Sequence, residues 1–139
     1  MARCERFVLA PNERAVREAR LRVRAFPELP RETEANAELV VSELVANSVL
    51  HARLRADDLI EVTLSCDDDR LLIQVADPGG FSRGPRSKVG WGFKVLDAVC
   101  ERWHAEGGRV SASILIAGAV ERVSPSRPSG MRVLRGARS

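Results

Sequence analysis

The chain has 139 residues, of which 45% are hydrophobic, 4% aromatic and 29% charged, values typical of one globular domain with an aliphatic core. It has no run of about 18 apolar residues, which argues against a membrane span, and its first segment, MARCERFVLAPNER, is charged where a signal peptide needs an apolar stretch. We therefore expect a cytoplasmic protein that makes no membrane contact.

The net charge of +3 is unevenly placed. Residues 1–120 hold 17 Lys and Arg against 18 Asp and Glu, whereas residues 121–139 hold five Arg and one Glu. The basic character belongs to the tail, so we do not expect direct nucleic-acid binding by the folded part. We predict a domain over residues 1–118 and a basic, disordered tail over residues 119–139, rich in Pro, Ser, Gly and Arg.

Two groups of residues are of types that can bind a metal ion. Cys4, Cys66 and Cys100 are odd in number and far apart in the sequence, which favours free thiols over a disulfide or a metal site. Three consecutive acids, Asp67 to Asp69, lack the oxygen spacing and the glycine of a calcium loop. Neither group predicts a metal centre.

The first elements are a short strand and a basic helix. FVLAP, residues 7–11, predicts a strand that ends at proline, and Asn12 is a plausible cap for a helix over residues 13–26. Five arginines lie between Arg14 and Arg24 of that helix. We favour a solvated helix face, and a surface that docks a partner is the alternative.

The second helix, ELVVSELVANSVLHA within residues 33–52, combines an apolar surface with a line of polar groups. We expect Thr33 to cap it. Glu43, Asn47 and His51 are four residues apart and so share one helix face. A buried carboxylate is costly unless it is paired, so these groups either face water at the helix edge or line a functional site.

The patterning then changes to a period of two. Residues 59–66 and 70–77 predict two strands joined by a hairpin turn, residues 93–102 predict a helix, and SASILIA, residues 111–117, predicts a final strand. The order β-α-α-β-β-α-β predicts an α+β fold, a two-layer α/β sandwich whose mixed sheet carries helices on one face.

DPGG follows the second of these strands directly. A glycine lets the backbone approach a ligand closely, and the acid before it, Asp77, can accept a hydrogen bond from an exocyclic amine such as that of adenine. A plain turn after a strand is the alternative, because Asp-Pro-Gly-Gly is ideal turn chemistry.

VGWGF places Gly90 and Gly92 at the entry to a helix. A glycine-rich helix N-terminus favours phosphate through its backbone N–H groups and the helix dipole. The spacing matches neither the dinucleotide fingerprint nor a P-loop.

Together and in this order, ELVVSELVANSVLHA, VADPGG and VGWGFKVLDAVCERW resemble the GHKL-type ATP-binding domains, and within them most closely the small bacterial anti-sigma-factor serine kinases and their actinobacterial relatives. The resemblance covers residues 14–116 and implies the two-layer ATP-binding fold of that group, often called the Bergerat fold.

The resemblance implies roles for four residues at the helix and the first glycine element. Asn47 would hold Mg²⁺ against the nucleotide phosphates, and Glu43 would act as base or water-positioner. Asp77 would contact the adenine amino group, with Gly79 at the ring.

At the phosphate end, the resemblance implies that Gly90 and Gly92 approach the phosphates and that residues 81–89 form an ATP lid. His51 occupies a common position of the helix motif, and we interpret it as structural. The lid cations that could reach the phosphates are Arg83, Arg86 and Lys88.

The resemblance therefore implies a Mg²⁺-dependent and ATP-dependent serine/threonine kinase that phosphorylates an anti-sigma factor antagonist and alternates between that protein and a sigma factor. The related kinases are usually dimers, so a homodimer is one option. Phe81 and Val110 replace a glycine and a threonine of the family pattern, and Trp91 and Phe93 replace smaller residues and Leu. The departures at Phe81 and Val110 motivate an alternative: a non-catalytic interaction module with weak or no nucleotide binding.

Overall fold

The computed structural model describes residues 3–26, 29–51, 54–78 and 90–116, with the backbone only for residue 51 and residues 90–93. The helices are α1 (Ala15–Ala25), α2 (Arg31–His51) and α3 (Gly90–Val99). The strands are β1 (Arg3–Leu9), β2 (Ile60–Cys66), β3 (Arg70–Ala76), β4 (Arg102–Glu106) and β5 (Arg109–Leu115).

The five strands form one sheet in the order β1-β2-β3-β5-β4. Every neighbouring pair runs antiparallel, with Thr63 opposite Gln74 and Gln74 opposite Ser111 in the central register. The α+β fold is confirmed, but the expectation of a mixed sheet was wrong. Two tight hairpins alternate the strand directions, and the connection through α3 and β4 returns β5 antiparallel to β3.

The core lies between one face of the sheet and the helices, because alternate strand residues and one side of each helix are buried together. On the strands this face carries Phe7, Val62, Ile73 and Ala112. The residues of the opposite face are mostly polar, and Thr63, Gln74 and Ser111 there are only partly buried.

The two long helices begin at other residues than expected. Asn12 does not cap α1: its side chain accepts a hydrogen bond from the Arg14 backbone at 2.8 Å, and the helix begins at Ala15. Helix α2 begins at Arg31, because the Pro30 carbonyl accepts the Glu34 N–H at 2.9 Å. Thr33 therefore lies inside the first turn, where its side chain is buried.

The sequence pattern does not predict strand β4, because it extends a helix to Arg102 and gives residues 103–105 no element. The strand has only two apolar residues, and its strand conformation follows from pairing with β5, in which Trp103 faces Ala112. Trp103 is buried on the core side, and its Nε1 donates to Asp97 Oδ1 of α3 at 2.8 Å. Helix α3 is therefore attached to the sheet by this strand.

Part of the basic face of α1 is used for internal packing. Arg24 forms a two-point ion pair with Glu38 of α2 at 3.0 and 3.3 Å, and Arg20 donates to Ser42 at 2.8 Å. The hydrogen bond to Glu38 raises the pKa of Arg24 above its ordinary value. These two arginines fix α1 against α2, so the solvated-face interpretation is incomplete for them.

The hairpin predicted between the two central strands is confirmed. Asp67 Oδ1 accepts from the backbone N–H groups of Arg70 and Asp69, at 2.9 and 2.8 Å, and these bonds hold the pKa of Asp67 below its ordinary value.

A depressed carboxyl pKa contributes stability above the unfolded pKa, and that stability is lost as the pH falls through the folded pKa. We expect Asp67→Ala to lower the free energy of unfolding at pH 7 by about 1 kcal/mol. We expect its difference from the wild type to shrink below about pH 4. Urea unfolding at both pH values measures this, and a difference that grows in acid would contradict it.

The three cysteines, all within the described residues, form no disulfide; Cys4 is exposed, Cys66 intermediate and Cys100 buried. Among the described residues no group of three or more His, Cys, Asp or Glu is placed to hold a metal ion. No helix in the described part of the chain is long and apolar enough to cross a membrane.

Candidate functional site

Helix α2 places Glu43 and Asn47 one turn apart on the same side, and both are partly buried. Within the described ranges, neither side chain forms a hydrogen bond or an ion pair with another residue. The predicted polar line is therefore a pair of side chains at the edge of the buried surface. The third member, His51, is the last helical residue, and its side chain lies outside the described part.

Asp77 follows β3 and is only 8% exposed. Its backbone N–H donates to the Gly108 carbonyl at 2.9 Å, which ties the end of β3 to the neighbouring hairpin. Its side chain points toward α2, where the Ser48 hydroxyl donates to Asp77 Oδ2 at 2.6 Å. The structure thus brings Asp77 to the same helix that carries Glu43 and Asn47.

The turn between β4 and β5 supplies that carbonyl. Gly107 has a φ of +61°, in the left-handed region that side chains rarely adopt. Glu106 and Arg109 close the hairpin across a two-residue loop, for which glycine is the favoured residue. The loop conformation places the Gly108 carbonyl within reach of the Asp77 N–H.

Val110 lies beside Asp77 on the core face of the sheet. It is 3% exposed and stands opposite Val75, two residues before Asp77. A threonine at this position would place a hydroxyl at the same end of the sheet. Valine makes that surface apolar.

Helix α3 begins at Gly90, three residues before the predicted start at residue 93, so Gly92 lies in its first turn. The ten-residue helix ends at Val99, three residues earlier than expected. Leu96 on its inner side and Cys100, directly after its end, are both buried. Gly79, Phe81 and the predicted lid, residues 81–89 with Arg83, Arg86 and Lys88, lie outside the described residues, as do the side chains of Trp91 and Phe93.

A depression of about 490 Å³ also adjoins Asp77, but it opens on the face of the sheet that is turned away from the helices. His104 and Ser111 stand opposite each other in the register on the face turned away from the helices, and both line this depression. The side chains of Glu43 and Asn47 take no part in it. We therefore place the candidate site on the helical side, between α2, the end of β3 and the start of α3.

The donor set on that side suits a nucleotide with a bound metal ion. An amide oxygen is a ligand type that Mg²⁺ accepts, and Asn47 supplies one. Glu43 places a carboxylate one turn away that can accept a proton, and neither side chain has a competing partner among the described residues. Asp77 offers a buried, oriented acceptor for an amine. The first turn of α3 offers backbone N–H groups to a phosphate.

The fold and the arrangement of these residues fit an ATP-binding α+β domain. The family model of the histidine kinase-like ATPase domain matches residues 9–133. The chain belongs to this family, whose domains bind ATP, generally with Mg²⁺. A comparison with curated proteins finds no match.

The match extends past residue 118, and the predicted division between domain and tail stays a prediction. Sequence reasoning did not single out Ser48. A signal was present: the buried positions Ala37, Val41 and Leu44 predict that residue 48 is also buried, so a serine there needs a partner. The identity of that partner, 29 residues away, comes only from the fold.

Proposed function

We propose that the protein is a serine/threonine kinase of the anti-sigma-factor type, which transfers the γ-phosphoryl group of ATP to a small antagonist protein and binds a sigma factor in its alternate state. The observation that carries the proposal is the placement of Glu43. This acid lies one helical turn before Asn47, partly buried and without a partner among the described residues. A merely solvated surface acid would not need that position beside the proposed phosphate end.

The chemistry follows from the positions of these groups. A serine or threonine oxygen of the antagonist attacks the γ-phosphorus, the bond to the β–γ bridging oxygen breaks, and ADP leaves. Glu43 accepts the proton of the attacking hydroxyl. Asn47 would hold Mg²⁺, which neutralises phosphate charge when bound, and catalysis otherwise consists mostly of positioning.

Adenine recognition occurs at Asp77, where the end of β3 meets α2. The buried Asp77 carboxylate accepts a hydrogen bond from the exocyclic amine of adenine. Backbone N–H groups of the first turn of α3 face the phosphates. Water is excluded on the core side by Val110 and its neighbours on β3.

A second candidate function is a non-catalytic module that keeps the fold and binds its partner without ATP. The apolar surface at Val110 favours it, because valine brings no hydroxyl to that position of β5. The two candidates differ in whether ATP binds and whether its γ-phosphoryl group is transferred.

We expect the purified protein to bind Mg-ATP in calorimetry and to generate phosphoserine or phosphothreonine on the antagonist, detected by mass spectrometry. Chelation of Mg²⁺ should stop the transfer. Binding of the antagonist without any phosphoprotein, together with no heat from ATP at high protein concentration, would favour the non-catalytic module.

A further inference from the structure

We propose that Ser48 is a positioning residue that fixes the Asp77 carboxylate and thereby makes the site prefer a purine that carries a 6-amino group. The inference rests on the nucleotide site of the proposed function and adds to it a residue and a specificity. Its basis is a single buried contact that joins the helix of Asn47 to the end of β3.

Ser48 and Asp77 are 2% and 8% exposed, and with Thr33 they are the buried polar side chains of the described residues. The Ser48 hydroxyl and Asp77 Oδ2 are 2.6 Å apart, and the acceptor is a carboxylate oxygen, so this is a charge-assisted hydrogen bond. Such bonds are about twice as strong as those between neutral groups. A carboxylate held this way has little freedom to rotate.

The behaviour of Ser48 contrasts with that of Ser42 on the same helix. The Ser42 hydroxyl donates to the Glu38 carbonyl, one turn back, at 2.6 Å, which is a usual local bond of helical serines. Ser48 instead donates its one hydroxyl proton to Asp77, the residue that follows β3. The Ser48 bond therefore acts across the site, whereas the Ser42 bond stays within α2 and its contact with α1.

The backbone N–H of Asp77 donates to the Gly108 carbonyl, and its side chain accepts from Ser48, so both parts of the residue are tied in place. A carboxylate has about four lone-pair sites, so the bond from Ser48 is compatible with acceptance of a ligand amine. Sites built to hydrogen-bond one ligand group discriminate strongly against analogues that lack it. Ser48 is also the neighbour of Asn47, so the same turn of α2 sets both ends of the nucleotide site.

The test compares Mg-ATP with Mg-bound purine riboside triphosphate, which differs from ATP by a hydrogen in place of the 6-amino group. We expect the wild type to bind ATP about 10- to 100-fold more tightly than the analogue, the range for a hydrogen bond to a charged group. Ser48→Ala should remove most of this preference by weakening ATP alone. The matched control Ser42→Ala should keep it.

Ser48→Cys keeps nearly the same volume with a weak donor, so it retains the fold if the alanine variant does not, and it should also lose most of the preference. Variants at Ser48 that retain the full preference would overturn the proposal. So would an equal loss for both triphosphates, which indicates mere structural support. Wild type that binds neither triphosphate overturns the nucleotide site itself and this inference with it.

Discussion

Glu43→Gln should lower the rate of phosphoryl transfer about 10²- to 10⁴-fold, the usual contribution of a general base, while the affinity for Mg-ATP stays within about twofold. Glutamine keeps the size of the side chain and cannot accept a proton. Glu43 makes no hydrogen bond or ion pair within the described residues. We therefore expect the free energy of unfolding to change by less than about 0.5 kcal/mol. Single-turnover transfer to the antagonist, with calorimetry of ATP, measures both quantities.

Glu38→Gln is the matched control, since Glu38 is a second glutamate of α2 whose carboxylate pairs with Arg24 away from the site. It should leave transfer unchanged. An equal loss in both variants would assign the effect to the helix and its packing. Loss of ATP binding in Glu43→Gln would make Glu43 a ligand or a structural group, and the base would have to be sought elsewhere.

The functional roles of the candidate site residues stay predictions, but the sequence singles out three of these residues directly. Glu43, Asn47 and Asp77 follow from motifs whose spacing is fixed by one helix and one strand end. Ser48 does not, because serine in a helix usually bonds its own backbone, as Ser42 does at 2.6 Å from the Glu38 carbonyl. Only the packing of α2 on β3 shows that the partner of Ser48 is Asp77.

The same distinction holds for the fold. The hairpin of β2 and β3 is readable from alternating residues and from an aspartate-rich turn, and it formed as predicted. Strand β4 cannot be predicted from local sequence, because its conformation comes from pairing with β5. This tertiary effect outweighs local preference. Helix α2 also begins two residues before the predicted residue 33, because the Pro30 carbonyl supplies the first helical acceptor.

Trp103→Ala should be among the most destabilising single changes in the described part of the chain, lowering the free energy of unfolding by about 3–5 kcal/mol. The indole is 8% exposed, and its removal leaves a large cavity between β4 and α3. It also removes the donor to Asp97 at 2.8 Å. Urea unfolding followed by circular dichroism measures the loss.

Because Trp103 attaches α3 to the sheet, its loss should also weaken ATP binding at temperatures where the variant is still folded. The first turn of α3, from Gly90, supplies the proposed phosphate contacts. Trp103→Phe keeps an aromatic ring and loses the indole N–H, so it should cost about 1–2 kcal/mol and keep most of the ATP affinity. A folded Trp103→Ala protein with unchanged ATP affinity would show that the position of α3 does not depend on this contact, and it would separate the stability of the domain from its nucleotide site.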